Sequence, residues 1–314
     1  MRVGWRLWGA LRRTMSGSSA HNPLIAVCQV TSTANKEENL SACSALIREA
    51  SARNAAMVFL PEAFDYIGGS TEETLSLAES LEGALIQQYS ALARECRLWL
   101  SLGGFHEKGP NWEKDRRISN SHLLLDDTGR IRSVYRKAHL FDVELQSGVS
   151  LKESSFTLPG MELAPPVCTP VGKVGLAVCY DLRFPEMSLA LSREGAEILT
   201  YPSAFTVTTG LAHWEVLLRA RAIENQCYVV AAAQTGSHNP RRASYGHAMV
   251  VDPWGAVVAQ CRDGPGVCYA EIDLPYLHRV RREMPVQGHR RADLYGAAGK
   301  KSPELREAAG SEIG

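Results

Sequence analysis

Short, unbroken apolar runs separated by amphipathic stretches constrain this chain more than any other feature. IAVCQV (25–30), AMVFL (56–60), VGLAVC (174–179), EILTYP (197–202) and CYVVAAAQ (227–234) are continuous rather than alternating. A strand with one wet face alternates, whereas a continuous run must be covered on both faces, as in parallel sheets flanked by helices. Helical spacing lies between the runs. Leu40, Cys43, Ala45, Leu46 and Ala50 share a period, and 71–97 reads as a helix that Gly83 can divide. FPEMSLALSREG (184–195) reads as a helix with Pro185 in its first turn, and HWEVLLRARAIENQ (213–226) as another. Two hairpins are predicted, over 120–137 with a turn at Asp127–Gly129 and over 246–260 with a turn at Pro253–Gly255.

The runs also repeat. IAVCQV parallels LAVCYD (176–181), and AAMVFLPEAF (55–64) parallels GAEILTYPSAF (195–205). Two buried strands converging on similar residues could produce this. Read as symmetry, it predicts an α/β fold of two equivalent halves packed as a four-layer αββα sandwich. One folded unit is expected over 23–295, after a leader at 1–22 and before a small, polar, disordered tail at 296–314.

Thirty-four basic residues balance thirty-four acidic ones, so charge offers no reason to expect nucleic acid, and no segment is long and apolar enough to predict a membrane span. The eight cysteines form no CxxC pair, and several sit inside apolar runs, which favours reduced thiols over a disulfide framework. The nine histidines show no HExxH pattern and no dense grouping with cysteine, so neither metal nor cofactor is expected. The leader carries Arg2, Arg6, Arg12 and Arg13, and the first acidic residue is Glu37. That composition fits a mitochondrial transit segment. A disordered leader, or initiation at Met15, fits as well; the expectation is a mitochondrial and a cytoplasmic form.

In α/β folds, polar residues just after buried strands face the ligand crevice. Glu62, Lys137, Cys179 and Ser203 stand at such exits. A thiol attacks a carbonyl only as thiolate, so a carboxylate base and an ammonium nearby both help it. Each residue also has a plainer reading. Cys179 taken alone is a core cysteine, Glu62 a helix cap, Lys137 a solvent-facing charge, and Arg183 a partner for Glu186. The charges crowded into CYDLRFPE shift the balance toward a thiol site.

Three separated motifs, FLPEAF around Glu62, YRKAHLFD around Lys137 and GLAVCYDLRFPE around Cys179, identify a resemblance to the nitrilase, or carbon–nitrogen hydrolase, superfamily. It extends from about Pro23 to Tyr295. The resemblance implies the αββα fold, assembly as a homo-oligomer through helix faces, and a covalent amidase mechanism. Cys179 would be nucleophile, Glu62 general base and Lys137 the oxyanion stabiliser. Glu153, sixteen residues past the lysine, matches a further family glutamate, with Glu144 its competitor.

Within the family the likeness is nearest to members acting on deaminated glutathione, which implies a linear amide substrate bearing carboxylates. Members of omega-amidase type, acting on 2-oxoglutaramate, are the alternative. A cationic residue is then needed in the pocket, and Arg183, with its rigid fork of donors, is the candidate, alongside Ser203. A catalytically idle scaffold on the same fold is the non-enzymatic alternative, and it has no packing need for all three residue types at these places.

Overall fold

The computed structural model describes residues 22–109, 111–144 and 150–295. The leader expected at 1–22 (but for its last residue) and the tail at 296–314 lie outside the described residues. In chain order the first half comprises β1 (Leu24–Val30), α1 (Lys36–Ala52), β2 (Met57–Leu60), α2 (Thr71–Leu77), α3 (Ala84–Cys96), β3 (Trp99–Lys108), β4 (Ile118–Leu125) and β5 (Ile131–Arg136). A small hairpin follows, β6 (Asp142–Glu144) and β7 (Ser150–Lys152). The second half comprises β8 (Val167–Thr169), β9 (Gly172–Leu176), α4 (Pro185–Arg193), β10 (Ile198–Thr200), α5 (Val207–Asn225) and β11 (Tyr228–Ala231). Then come β12 (Ala233–Asn239), β13 (Arg242–Tyr245), β14 (Met249–Val251), β15 (Val257–Gln260), β16 (Gly266–Glu271), α6 (Leu274–Glu283) and α7 (Ala292–Tyr295).

Two sheets result. One runs β13-β12-β1-β2-β3-β4-β5 with β16 also on β1, and the other runs β15-β14-β11-β10-β9-β8. The continuous apolar runs form the parallel centres, β12-β1-β2-β3 and β9-β10-β11. Burial shows why they are continuous. Ile25, Val27, Met57 and Phe59 join the core shared with the second sheet, while the intervening Ala26, Cys28, Val58 and Leu60 pack with Cys43, Ile47, Leu85, Ile86 and Tyr89 under α1 and α3. Met187 and Leu191 of α4, with Trp214, Leu218 and Ala222 of α5, cover the other sheet. The layers are therefore helix, sheet, sheet, helix.

Local chemistry sets the boundaries. The Asn35 side chain caps α1 by accepting from the Glu37 and Glu38 amides, and Ser70 caps α2. Gly83 separates α2 from α3 as anticipated, serving as the residue before α3. Two expectations fail. CYVVAAAQ is not one strand: β11 lies in the second sheet and β12 in the first, with Ala232 between them. Both pieces are buried on both faces, so hydrophobicity carries no trace of the switch. The helix expected at 213 begins at Val207, where the Thr206 side chain caps it.

β3 also passes close to the end of β10. A Cβ added to Gly103 would stand 2.1 Å from the Cβ of Pro202 and 2.8 Å from the Leu60 carbonyl oxygen. Gly103→Ala is expected to destabilise the fold by about 1–3 kcal/mol, the usual cost of overpacking. Urea unfolding measures it, and an unchanged midpoint would show that the sheets part freely there.

Candidate active site

Four strand ends deliver the charged groups. Glu62 lies two residues past β2, Lys137 directly follows β5, Glu153 directly follows β7, and Cys179 lies three residues past β9. β5 runs in the same direction as β2, being antiparallel to β4, which is antiparallel to β3. Glu62 and Lys137 thus leave the first sheet on the same side.

Lys137 is almost wholly buried, at 2% exposure. Its Nζ donates to Glu62 Oε1 at 3.0 Å and to Glu153 Oε1 and Oε2 at 3.1 and 2.9 Å. Burial works to discharge Lys137, but the charges of Glu153 and Glu62 prevail and hold its pKa well above the ordinary value. Glu62 is the mirror case. Burial pushes its carboxyl up, yet the Lys137 charge, with hydrogen bonds from Lys137 and Asn120, leaves it below the usual range.

Cys179 is mounted on strained backbone, a non-glycine residue at φ 48°. Such a conformation costs on the order of 1–3 kcal/mol and persists only where neighbours enforce it. Here the Cys179 amide donates to the Pro202 carbonyl at 2.9 Å. The Glu62 carboxylate and the Ala204 amide both act on the thiol. Burial, then the Glu62 charge, push its pKa up, with Lys137 acting the other way. The resting group is therefore a neutral thiol beside an ionised carboxylate. Attack on a carbonyl needs the proton to pass to Glu62 as the S–C bond forms. No histidine bonds to Cys179 among the described residues. His122, pushed down to about 4 by burial, is neutral and occupied by the Ala177 carbonyl and Ser101.

Glu153 also accepts from the Phe141 amide at 2.7 Å, whereas Glu144 is exposed on β6. The structure thus brings Glu153, not Glu144, to Lys137. Arg183 is partly exposed; its Nη1 lies 3.2 Å from His213 Nδ1, and its guanidinium faces the rings of Tyr180 and Phe205. It makes no ion pair with Glu186 among the described residues. Ser203 departs from the expectation of a substrate contact. It is fully buried, and its hydroxyl donates to the Tyr201 carbonyl at 2.9 Å. Its backbone, bonded to Ala232 and Gln234, joins the two sheets instead.

Sequence reasoning missed two groups. The Asn120 amide donates to Glu62 Oε1 at 2.9 Å and, more weakly, to Glu153 Oε1 at 3.4 Å. The Ala204 amide donates to Glu62 Oε2 at 2.9 Å. The first sits mid-strand and the second is backbone, so neither left a side-chain signal at a strand exit.

Removing Lys137 would strand the buried Glu62 carboxylate and the part-buried Glu153. Lys137→Met is expected to cost about 3–5 kcal/mol at neutral pH, as for other broken buried pairs. Without the ammonium, burial raises the folded-state pKa of Glu62. A raised carboxyl binds protons more readily folded than unfolded, so the variant regains stability as pH falls from 7 toward 5. Urea unfolding at both pH values tests this, and a gap that widens on acidification would contradict it.

The family model "Carbon-nitrogen hydrolase" matches residues 24–282. The deaminated glutathione amidase of Mus musculus is 60% identical over 288 residues, spanning 91% of this chain and 89% of the mouse protein. Its Homo sapiens counterpart is 61% identical over 285 residues, spanning 91% and 87%. Among solved structures, the NitFhit protein of C. elegans superimposes with a TM-score of 0.83 at 53% identity, covering 88% of this chain and 67% of that one. The chain belongs to the carbon–nitrogen hydrolase family.

Proposed function

We propose that this chain is an amidase that hydrolyses deaminated glutathione to 2-oxoglutarate and cysteinylglycine through a thioester on Cys179. One observation carries the mechanism: a single buried carboxylate, Glu62, holds the Lys137 ammonium by a hydrogen bond and acts on the pKa of the Cys179 thiol. The substrate rests on the likeness to the mouse and human amidases, each at 60% identity or above.

Cys179 Sγ attacks the amide carbon while its proton moves to Glu62. Negative charge gathers on the carbonyl oxygen, where Lys137 stabilises it. In the resting site the ammonium is held by Glu62 and Glu153. Protonation of Glu62 weakens its hold on Lys137, so one donor is released toward the oxyanion as it forms. Glu62 then gives the proton to the leaving nitrogen, and cysteinylglycine departs. Water, deprotonated by Glu62, attacks the thioester; the 2-oxoglutarate carboxylate leaves and the thiol is restored. Glu153 orients Lys137 throughout. Arg183, with no carboxylate partner among the described residues, binds a substrate carboxylate. Cys179→Ala should leave no acyl adduct in the intact mass and activity below the limit of assay. Residual turnover within about tenfold of wild type, only ~1.4 kcal/mol of barrier, would rule out the covalent route. With Arg183→Lys, kcat/KM should fall for deaminated glutathione and 2-oxoglutaramate and change little for a neutral amide. An equal fall for all three would remove Arg183 from substrate binding. Wild-type preference for 2-oxoglutaramate would make omega-amidase the better description.

The chain is further proposed to act as a homo-oligomer joined through α5. Leu211, Val216 and Ile223 stand exposed along that helix, and the turn bearing the exposed Trp254 packs against it at Ile223. Isolated apolar side chains are ordinary on a surface, but Val216 and Ile223, seven residues apart on one face with Trp254 beside them, suit a contact. Val216→Asp should convert the oligomer to monomer in sedimentation velocity; an unchanged coefficient would place the contact elsewhere.

A further inference from the structure

We propose that Asp181 is a positioning residue for the amidase reaction: its carboxylate locks the turn that carries Cys179 to the segment that carries Lys137. The inference rests on the amidase reading above and extends it to a residue outside the Glu62–Lys137–Glu153–Cys179 cluster.

Asp181 is completely buried, yet four donors converge on it. Oδ2 accepts from the Tyr135 hydroxyl at 2.8 Å and the Val178 amide at 2.9 Å. Oδ1 accepts from His139 Nδ1 at 2.7 Å and the His139 amide at 3.2 Å. Each pair of donors has meaning in the chain. Tyr135 and His139 flank Lys137 by two residues on either side, and Val178 directly precedes Cys179. The Tyr135 hydroxyl also accepts from the Ala138 amide at 2.9 Å, which closes the segment around Lys137. On the other side, the Phe184 amide donates to the Asp181 carbonyl at 3.0 Å, and the Phe184 ring stacks on His139 with centroids 3.7 Å apart. One side chain thus holds both catalytic segments, which come from different sheets.

Burying a carboxylate is costly unless its hydrogen-bond sites are filled, and here all four donors are needed to fill them. An arrangement that only filled space would be served as well by an apolar residue. What an apolar residue cannot do is fix the distance between the Cys179 elbow, strained at φ 48°, and the Lys137 backbone. Misplacement by about an ångström is enough to cost two orders of magnitude in rate. An amide in place of the carboxylate brings two protons where two donors already point, so Asp181→Asn breaks one arm of the clamp while keeping its volume.

The test compares wild type with Asp181→Asn, His139→Ala and His139→Asn. It reads kcat and KM on deaminated glutathione, the rate of Cys179 alkylation by iodoacetamide followed on the Cys179 peptide, and the urea midpoint. In His139→Asn the amide nitrogen can take the place of Nδ1, so this variant keeps the donor and loses the ring. For folded Asp181→Asn, kcat should fall on the order of thirtyfold or more with KM within about threefold, and alkylation should slow alongside. His139→Asn should recover most of the kcat that His139→Ala loses. The proposal is overturned if folded Asp181→Asn keeps kcat and alkylation within about threefold of wild type, or if His139→Asn is no better than His139→Ala. Should Asp181→Asn fail to fold, the His139 pair decides alone. Failure of wild type to cleave deaminated glutathione would remove the substrate reading, while the alkylation rates would still decide the role of Asp181.

Discussion

A buried ammonium between two carboxylates is the interaction on which the rest of this site depends. Lys137 and Glu62 are withdrawn from water and Glu153 largely so, and each such ion alone would cost several kcal/mol. Their attraction offsets that cost only if the geometry is held and the remaining lone pairs are filled. Much of the surrounding structure does this. Asn120 reaches both carboxylates, the Ala204 amide fills Glu62 Oε2, and the Phe141 amide fills Glu153 Oε2. Gly104, at φ 68°, lies so near Glu62 that a Cβ there would stand 2.7 Å from its Cγ. Strand ends from two sheets have to meet at one point, and small residues let them.

The same triad sorts the protons. Without Lys137, burial would leave both the thiol and the Glu62 carboxyl neutral, and neither could start the reaction. With it, the carboxylate is held low while the adjacent thiol stays high. Two neighbouring acids pushed apart in this way define which one gives and which one takes the proton. The activating event is then proton transfer inside the complex rather than a standing thiolate.

The sandwich was legible because burial on both faces leaves continuous apolar runs, and β1, β2, β9, β10 and β11 all carry one. The short β6–β7 hairpin, the β16 partner of β1 and helix α6 were not, since they are short or polar and are stabilised by neighbours far along the chain. The break at Ala232 is invisible for the opposite reason, because both sides of it are equally apolar. At the site, Glu62, Lys137 and Cys179 were readable from strand exits, and Glu153 from the family resemblance. Asn120 and Asp181 were not, because their roles lie in contacts 58 and 46 residues away, with Glu62 and Tyr135.

Ser203 shows why the internal repeat both helps and misleads. Pro61-Glu62-Ala63-Phe64 and Pro202-Ser203-Ala204-Phe205 are equivalent turns after β2 and β10. Equivalence predicts a functional side chain at each, but one crevice cannot use both alike. In the first turn the side chain of Glu62 points into the site, and Ala63 takes φ 56° with its amide on the Gly104 carbonyl. In the second the side chain of Ser203 turns back on Tyr201, and the contribution is the next amide, Ala204, which binds Glu62. Cys28 and Cys179 divide in the same way. Cys28 stays within β1 under the helices, whereas Cys179 leaves its strand in a left-handed turn that delivers the thiol to Glu62. Two similar halves therefore make one asymmetric centre: the first supplies the base, the second the nucleophile and the backbone donor that steadies the base.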